Sequence, residues 1–253
     1  MEKIEHLNFD NLNLKKELLE GIYLYGFKTP SRIQIKGIQT LNTGKDCILQ
    51  SQSGTGKTAT YLLGVMNQIE ITNELQGIII SPTRELSEQV CKVAEKISKK
   101  SKIKITKAIG GTDVWQNIKN VKNSNLIIGT IGRILHLIVK NKISIDNLKF
   151  LVLDEADNII EDKEKNNIIS IIEKINNSCQ ICVISATLTN NIFKFSKEKM
   201  NDPLKVLLKK NEISVDLISQ YYLDVEIEEY KFEVLLELYN ILSTSQTIIF
   251  CNT

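Results

Sequence analysis

The feature that most limits what this chain can fold into is a repeated one. A short, largely apolar run is followed at once by a polar or glycine-bearing turn, and then by apolar residues at helical spacing. Such runs stand at residues 47–49, 78–80, 103–109, 126–128, 150–153 and 181–184. Strands that are apolar throughout must be covered on both faces, and strands alternating with amphipathic helices specify a parallel sheet between two helical layers. The predicted class is therefore α/β. In such sheets ligands gather beyond the carboxyl ends of the strands. Every polar motif named below falls at that edge, which argues for one composite site.

The first run opens into S-Q-S-G-T-G-K-T, residues 51–58. A strand entering a glycine-bearing loop that starts a helix aims backbone N–H groups and the positive end of the helix dipole at one point, where an anion belongs. Gly54 and Gly56 permit backbone angles closed to other residues, and Ser53 and Thr55 complete the cradle. Lys57 supplies a mobile charge for the outer phosphates of a nucleotide, and Thr58 a hydroxyl able to ligate magnesium. Ser51 stands where the general phosphate-loop pattern has its first glycine. A cradle alone hydrolyses nothing. The fifth run supplies the acids, D-E-A-D at residues 154–157. Asp154 at a strand end can hold the metal ion and Glu155 can orient the attacking water. The competing reading is an acidic helix start favoured by the dipole.

Ahead of the cradle, Leu14, Leu18, Leu19 and Ile22 predict a helix closed by Gly26, and Pro30 and Ser31 a loop capping the next helix. Beyond the last run, residues 202–214 turn polar and linker-like. A further strand–helix–strand unit is predicted from residues 219–225, Leu235, Leu238 and Leu242, and residues 247–250.

The totals exclude little. With 32 basic and 30 acidic residues in 253, any nucleic-acid site has to be a local groove. No charge-free apolar stretch could span a bilayer and the amino terminus carries no apolar signal region, so a soluble cytoplasmic or nuclear protein without membrane attachment is expected. Five cysteines lie mostly in apolar runs, as reduced, buried thiols do; Cys179 and Cys182 form one C-x-x-C with no second pair, so a core strand is preferred to a metal site. His6 and His136 are isolated and are assigned no chemistry.

Taken together, these motifs resemble the DEAD-box RNA helicases, and more closely the subfamily of eukaryotic translation initiation factor 4A. The resemblance implies a RecA-like domain over residues 1–210, then a linker and the truncated start of a second RecA-like domain over residues 211–253. It implies ATP and Mg2+ as cofactors. Residues 26–34, including Lys28, Thr29, Arg32 and Gln34, match the adenine-reading segment, and Phe9, seventeen positions before Gly26, matches an adenine-stacking aromatic. Pro82, Thr83 and Arg84, the pair Gly110 and Gly111, and Thr130 with Arg133 match segments that grip RNA through its backbone. Ser185 and Thr187 match the segment coupling ATP to RNA, with hydroxyls expected within reach of Asp157.

The resemblance implies single-stranded or short duplex RNA as partner, and proteins like factor 4G or the exon-junction components. Ser51 in place of alanine leans toward the exon-junction paralogue. Ile131 stands where the family usually has proline, which predicts a less rigid RNA loop, and the glycine–phenylalanine usual after Asp157 is missing. The arginine-rich segment facing the γ-phosphate belongs to the second domain, so a weak ATPase is expected of these 253 residues. The alternative is a noncatalytic nucleotide- or partner-binding fragment; a different phosphate-loop enzyme such as a kinase leaves residues 82–86 and 185–187 unexplained.

Overall fold

A computed structural model describes residues 7–111, 121, 123–161, 164–208, 219, 221–242 and 246–251. Spatial proximity divides the chain into two compact units, Met1–Ile213 and Ser214–Thr253.

The first unit is built on seven strands: β1 Cys47–Gln50, β2 Gly77–Ser81, β3 Ile105–Ala108, β4 Leu126–Thr130, β5 Phe150–Leu153, β6 Gln180–Ser185 and β7 Leu204–Leu207. They pair in the order β3-β4-β2-β5-β6-β1-β7, and every pairing is parallel. The apolar runs are explained by two cores, one on each face of the sheet. Along β2, Ile79 packs in one core and Ile78 and Ile80 in the other; along β5, Val152 faces one and Leu151 and Leu153 the other. The first core is closed by α1 Lys16–Tyr25, α2 Arg32–Leu41, α3 Lys57–Gln68 and α4 Arg84–Ile97. The second is closed by helices Ile131–Val139, Ala156–Glu161, Lys165–Ile172 and Asn190–Lys199. Each fully buried isoleucine contributes about 1.5–3 kcal/mol of transfer free energy, which is why either face stripped of its helices would not stand.

Local signals hold where predicted. Gly26 ends α1 at φ 104°, a left-handed angle suited to glycine, with its N–H directed to the Ile22 and Tyr23 carbonyls. Ser31 caps α2 in a reciprocal box with Gln34. Strand β7 corrects the sequence reading, which took residues 202–214 as linker. Its residues L-K-V-L alternate in burial because it is the edge of the sheet, beside β1, and an edge strand needs only one apolar face. Asp46, 9% exposed, accepts the Ile181 and Asn201 N–H groups at 2.7 Å each, stapling the start of β1 to β6 and to the segment before β7.

In the second unit residues 228–230 form one turn of 3-10 helix and Lys231–Ile241 an α-helix in which no residue is buried. Residues 221–225 and 246–251 are not strands, against prediction. Strand pairing needs a neighbour and a covered face, and the described residues of this unit supply neither. Among the described residues no helix is long and apolar enough to cross a membrane.

Candidate functional site

The loop between β1 and α3 is held by its own side chains. Thr55 Oγ1 donates to the Gln52 carbonyl (2.8 Å), so the 2.6 Å contact between the Ser51 and Thr55 hydroxyls is donated by Ser51. The serine at position 51 thus adds a strut to the cradle. Ser31 Oγ donates to the Thr55 carbonyl (2.9 Å), tying the α2 cap to the loop. Gly56 has φ 98°, and a Cβ there would lie 2.5 Å from Gln34 Nε2, so both backbone angle and space demand glycine. Lys57 Nζ donates to the Ser51 carbonyl (2.7 Å). Burial lowers the pKa of this ammonium, while Asp154, Asp157 and Glu155 oppose the shift. The cradle lysine and the acidic motif therefore share one neighbourhood.

Asp154 lies directly after β5 and is 8% exposed. Its Oδ2 accepts the Tyr61 hydroxyl (2.7 Å) and its Oδ1 the Glu155 N–H (3.1 Å). Burial pushes its carboxyl from 3.8 to about 6, with the Tyr61 bond opposing. Tyr61 is wholly buried, and burial holds its phenol well above 10, as a donor; a hydrogen bond with the Thr58 hydroxyl acts the other way. Glu155 occupies the left-handed region at φ 50°, which a non-glycine residue adopts at a cost of about 1 kcal/mol, a strain typical of functional positions. Its carboxylate accepts Asn158 Nδ2 (3.2 Å). Across the end of β6, Thr187 Oγ1 donates to Asp157 (2.7 Å), the reach expected of this segment, while buried Ser185 donates to the Thr187 carbonyl (2.6 Å) and accepts the Thr187 N–H (3.2 Å). Ser185 therefore shapes the turn.

The oxygen donors Thr58 and Asp154 suit magnesium, a hard cation bound in nucleotide sites by one or two carboxylates plus substrate phosphates. Among the described residues no cluster of three or more histidine, cysteine or acidic side chains could hold a metal by itself. The buried Asp154 carboxyl, raised by desolvation, is a charge that a cation would satisfy.

The adenine-reading segment differs from expectation. Phe9 is 0% exposed, edge-on to Tyr23 and Phe27 with ring centroids 6.3 and 6.0 Å away, so it offers no face to a base. Its apolar ring is more stable in the core beneath α1 than at the surface. Gln34 is 3% exposed and its Oε1 accepts the Ser31 N–H (2.8 Å), so its amide oxygen already serves the helix cap. Lys28, Thr29 and Arg32 are exposed beside it.

At the ends of β2, β3 and β4 lies an open hollow of about 750 Å3 lined by Pro82, Thr83, Arg84, Glu85, Gly110, Thr130, Gly132, Arg133, His136 and Glu164. Arg84 rests on the glycine pair: a Cβ at Gly110 or Gly111 would fall 2.9 or 2.8 Å from its guanidinium nitrogens. Thr83 Oγ1 caps α4 by accepting the Leu86 N–H (3.2 Å). Ile131, 1% exposed, opens a helix and packs in the second core. His136, given no role from sequence, lines the hollow because it stands three positions after Arg133 on one helical face. Tyr61 was not singled out from the sequence; a tyrosine in a buried helical face, three after Thr58, is the signal that its hydroxyl has a partner. The C-x-x-C stays unpaired, Cys179 and Cys182 being buried free thiols.

A parallel sheet with helices on both faces, a phosphate-type cradle and an acidic step at its carboxyl edge define a RecA-like nucleotide-binding fold. The profile described as DEAD/DEAH box helicase matches residues 31–195, and the chain belongs to that family. It is similar to the ATP-dependent RNA helicase FAL1 of Kluyveromyces lactis, 44% identical over 97% of this chain and 63% of the relative, and to FAL1 of Saccharomyces cerevisiae, 40% identical over the same shares. Among solved structures it resembles a DEAD box protein from Methanococcus jannaschii (TM-score 0.79, 33% identity, 92% of this chain and 63% of that one). It also resembles S. cerevisiae Dbp5 bound to RNA and ADP BeF3 (TM-score 0.83, 32% identity, 93% and 61%). The chain thus spans somewhat under two thirds of the length of these relatives.

Proposed function

We propose that this chain is the ATP-binding part of an ATP-dependent RNA helicase or clamp of the DEAD-box type, in the factor 4A group. The observation that carries the reading is the strand order. It sets β5, with D-E-A-D at its end, between β2, which leads into the hollow, and β6 with β1, which lead into the loop and Thr187. One acidic motif thus adjoins both ligands.

In this reading the loop N–H groups and the α3 dipole bind the nucleotide phosphates and Lys57 turns from the Ser51 carbonyl to neutralise them. Thr58 and Asp154 would hold magnesium, which when bound neutralises and orients the phosphate oxygens. Glu155 orients the attacking water, its left-handed backbone setting the direction of its side chain. Pro82, Thr83, Arg84, the Gly110–Gly111 pair, Thr130 and Arg133 hold RNA by sugar and phosphate, so grip is independent of sequence. The Thr187–Asp157 bond links the acidic motif to the turn after β6 and passes the state of one ligand to the other. S-Q-S-G-T-G-K-T and I-S-A-T support the factor 4A group and its exon-junction branch; action in translation initiation or nuclear RNA processing, with factor 4G-like or exon-junction-like partners, belongs to the same proposal.

The test is ATP hydrolysis by the full-length protein with and without single-stranded RNA. RNA should stimulate turnover, and Glu155→Gln should abolish it while nucleotide binding persists. Equal rates with and without RNA would refute the proposal.

A further inference from the structure

The packing of Tyr61 needs only a ring. The side chain is wholly enclosed in the core formed by α1–α4 and the sheet, among Leu62, Leu63, Val65 and Met66 of its own helix. A phenylalanine would fill the same space without a hydroxyl to desolvate, and a buried hydroxyl without a partner costs about 1–3 kcal/mol. Here the hydroxyl has a partner, and it is the carboxylate assigned above to the cation: it donates to Asp154 Oδ2 at 2.7 Å. Tyr61 stands three positions after Thr58 on the same helix, so the bond ties the carboxylate to the element that carries the other donor.

The bond to Asp154 also differs in kind from the other one that carboxylate accepts. Glu155 N–H comes from the next residue of the same turn and moves with it. Tyr61 comes from α3, 93 positions away in sequence, and so fixes the carboxylate relative to the cradle.

We propose that Tyr61 is a positioning residue for the nucleotide-associated cation: its hydroxyl ties the Asp154 carboxylate to α3, the helix that carries Thr58, and so fixes the orientation of that carboxylate relative to the cradle. This rests on the reading of Thr58 and Asp154 as the cation's holders. Groups that orient metal ligands typically change metal affinity 10- to 100-fold when removed.

The experiment titrates a fluorescent ADP analogue into the 253-residue chain, with EDTA and at a series of magnesium concentrations. For Tyr61→Phe, affinity in EDTA should stay within about twofold of wild type, while the magnesium concentration giving half the gain should rise about tenfold. In an Asp154→Asn background the same substitution should change the magnesium requirement no further, because the link is already altered. A wild-type-like Tyr61→Phe, an equal loss with and without magnesium, or tighter magnesium dependence would each overturn the proposal, the second by showing a purely structural role. Those outcomes leave the cation site standing if magnesium strengthens wild-type binding. Absence of any magnesium effect in the wild type would instead remove the cation site and this proposal together.

Discussion

The carboxyl edge of the sheet has two halves, and they are built differently. At the ends of β1, β5 and β6, side chains bind one another across loops: Ser51 to Thr55, Tyr61 to Asp154, Thr187 to Asp157, and Lys57 to the loop backbone. At the ends of β2, β3 and β4, a guanidinium lies against glycine backbone beside an open hollow of about 750 Å3. The first arrangement presets distances, as a small rigid ligand with concentrated charge requires. The second leaves room and direction for a chain-like ligand whose recurring group is a phosphate. On the proposed function, one sheet carries a nucleotide site and a polymer site without either compromising the other.

That contrast can be broken most directly at Lys57. Lys57→Ala should weaken nucleotide binding by roughly two to three orders of magnitude, through loss of a charge-assisted contact in a half-buried site, and leave short single-stranded RNA binding unchanged. Nucleotide titration and RNA fluorescence anisotropy on the same variant check it, and an equal loss in both would merge the halves. Next is Asp154. Its folded pKa of about 6 lies above 3.8, so the native state binds the extra proton between these values and stability falls as pH rises through that window. The cost of the buried charge at neutral pH is about 3 kcal/mol. Asp154→Asn should recover most of it at pH 7.5 and flatten urea stability between pH 4 and 7; a slope that persists would place the burial cost elsewhere.

On the other half, Arg84→Ala should weaken RNA binding about tenfold for all sequences alike and reduce its salt dependence by about one phosphate contact, with nucleotide affinity intact. A sequence-dependent loss would mean that Arg84 reads bases. The smallest effect is sought at Ser51. Ser51→Ala removes the strut to Thr55 and should cost about 1 kcal/mol in thermal stability without altering RNA binding, which differential scanning fluorimetry and anisotropy would separate.

Most of this edge could be read in the sequence because its parts are local. A strand, a glycine loop and a helix start are neighbours in the chain, so the cradle and the acidic step after β5 were placed by spacing, while the threonine at 187 and its reach to Asp157 came from the family resemblance. Other contacts made at a distance were not legible. Phe9 looks available to a base until the helix Lys16–Tyr25 and Phe27 close over it, and Gln34 looks free until Ser31 claims its amide oxygen. Tyr61 reads as packing because its partner lies just after β5, 93 positions away in sequence. Strand β7 was missed for a related reason: an edge strand of four residues with a lysine in it carries half the apolar signal of a central one. The reverse error was made at residues 247–250, where β-branched residues suggest a strand but none among the described residues pairs with them.

The position of β1 has a consequence for how the protein is made. Its neighbours in the sheet are β6 and β7, which follow it by more than 130 residues, as the Asp46 bonds to Ile181 and Asn201 mark. Synthesis at about 5–20 residues per second leaves the strand that carries the cradle without both partners for roughly ten seconds or longer. During that interval its apolar residues and its unpaired edge are exposed to any chaperone or neighbouring chain. The nucleotide loop therefore leaves the ribosome well before the strands that support it. Binding of nucleotide to a nascent chain should begin only after β7 has emerged.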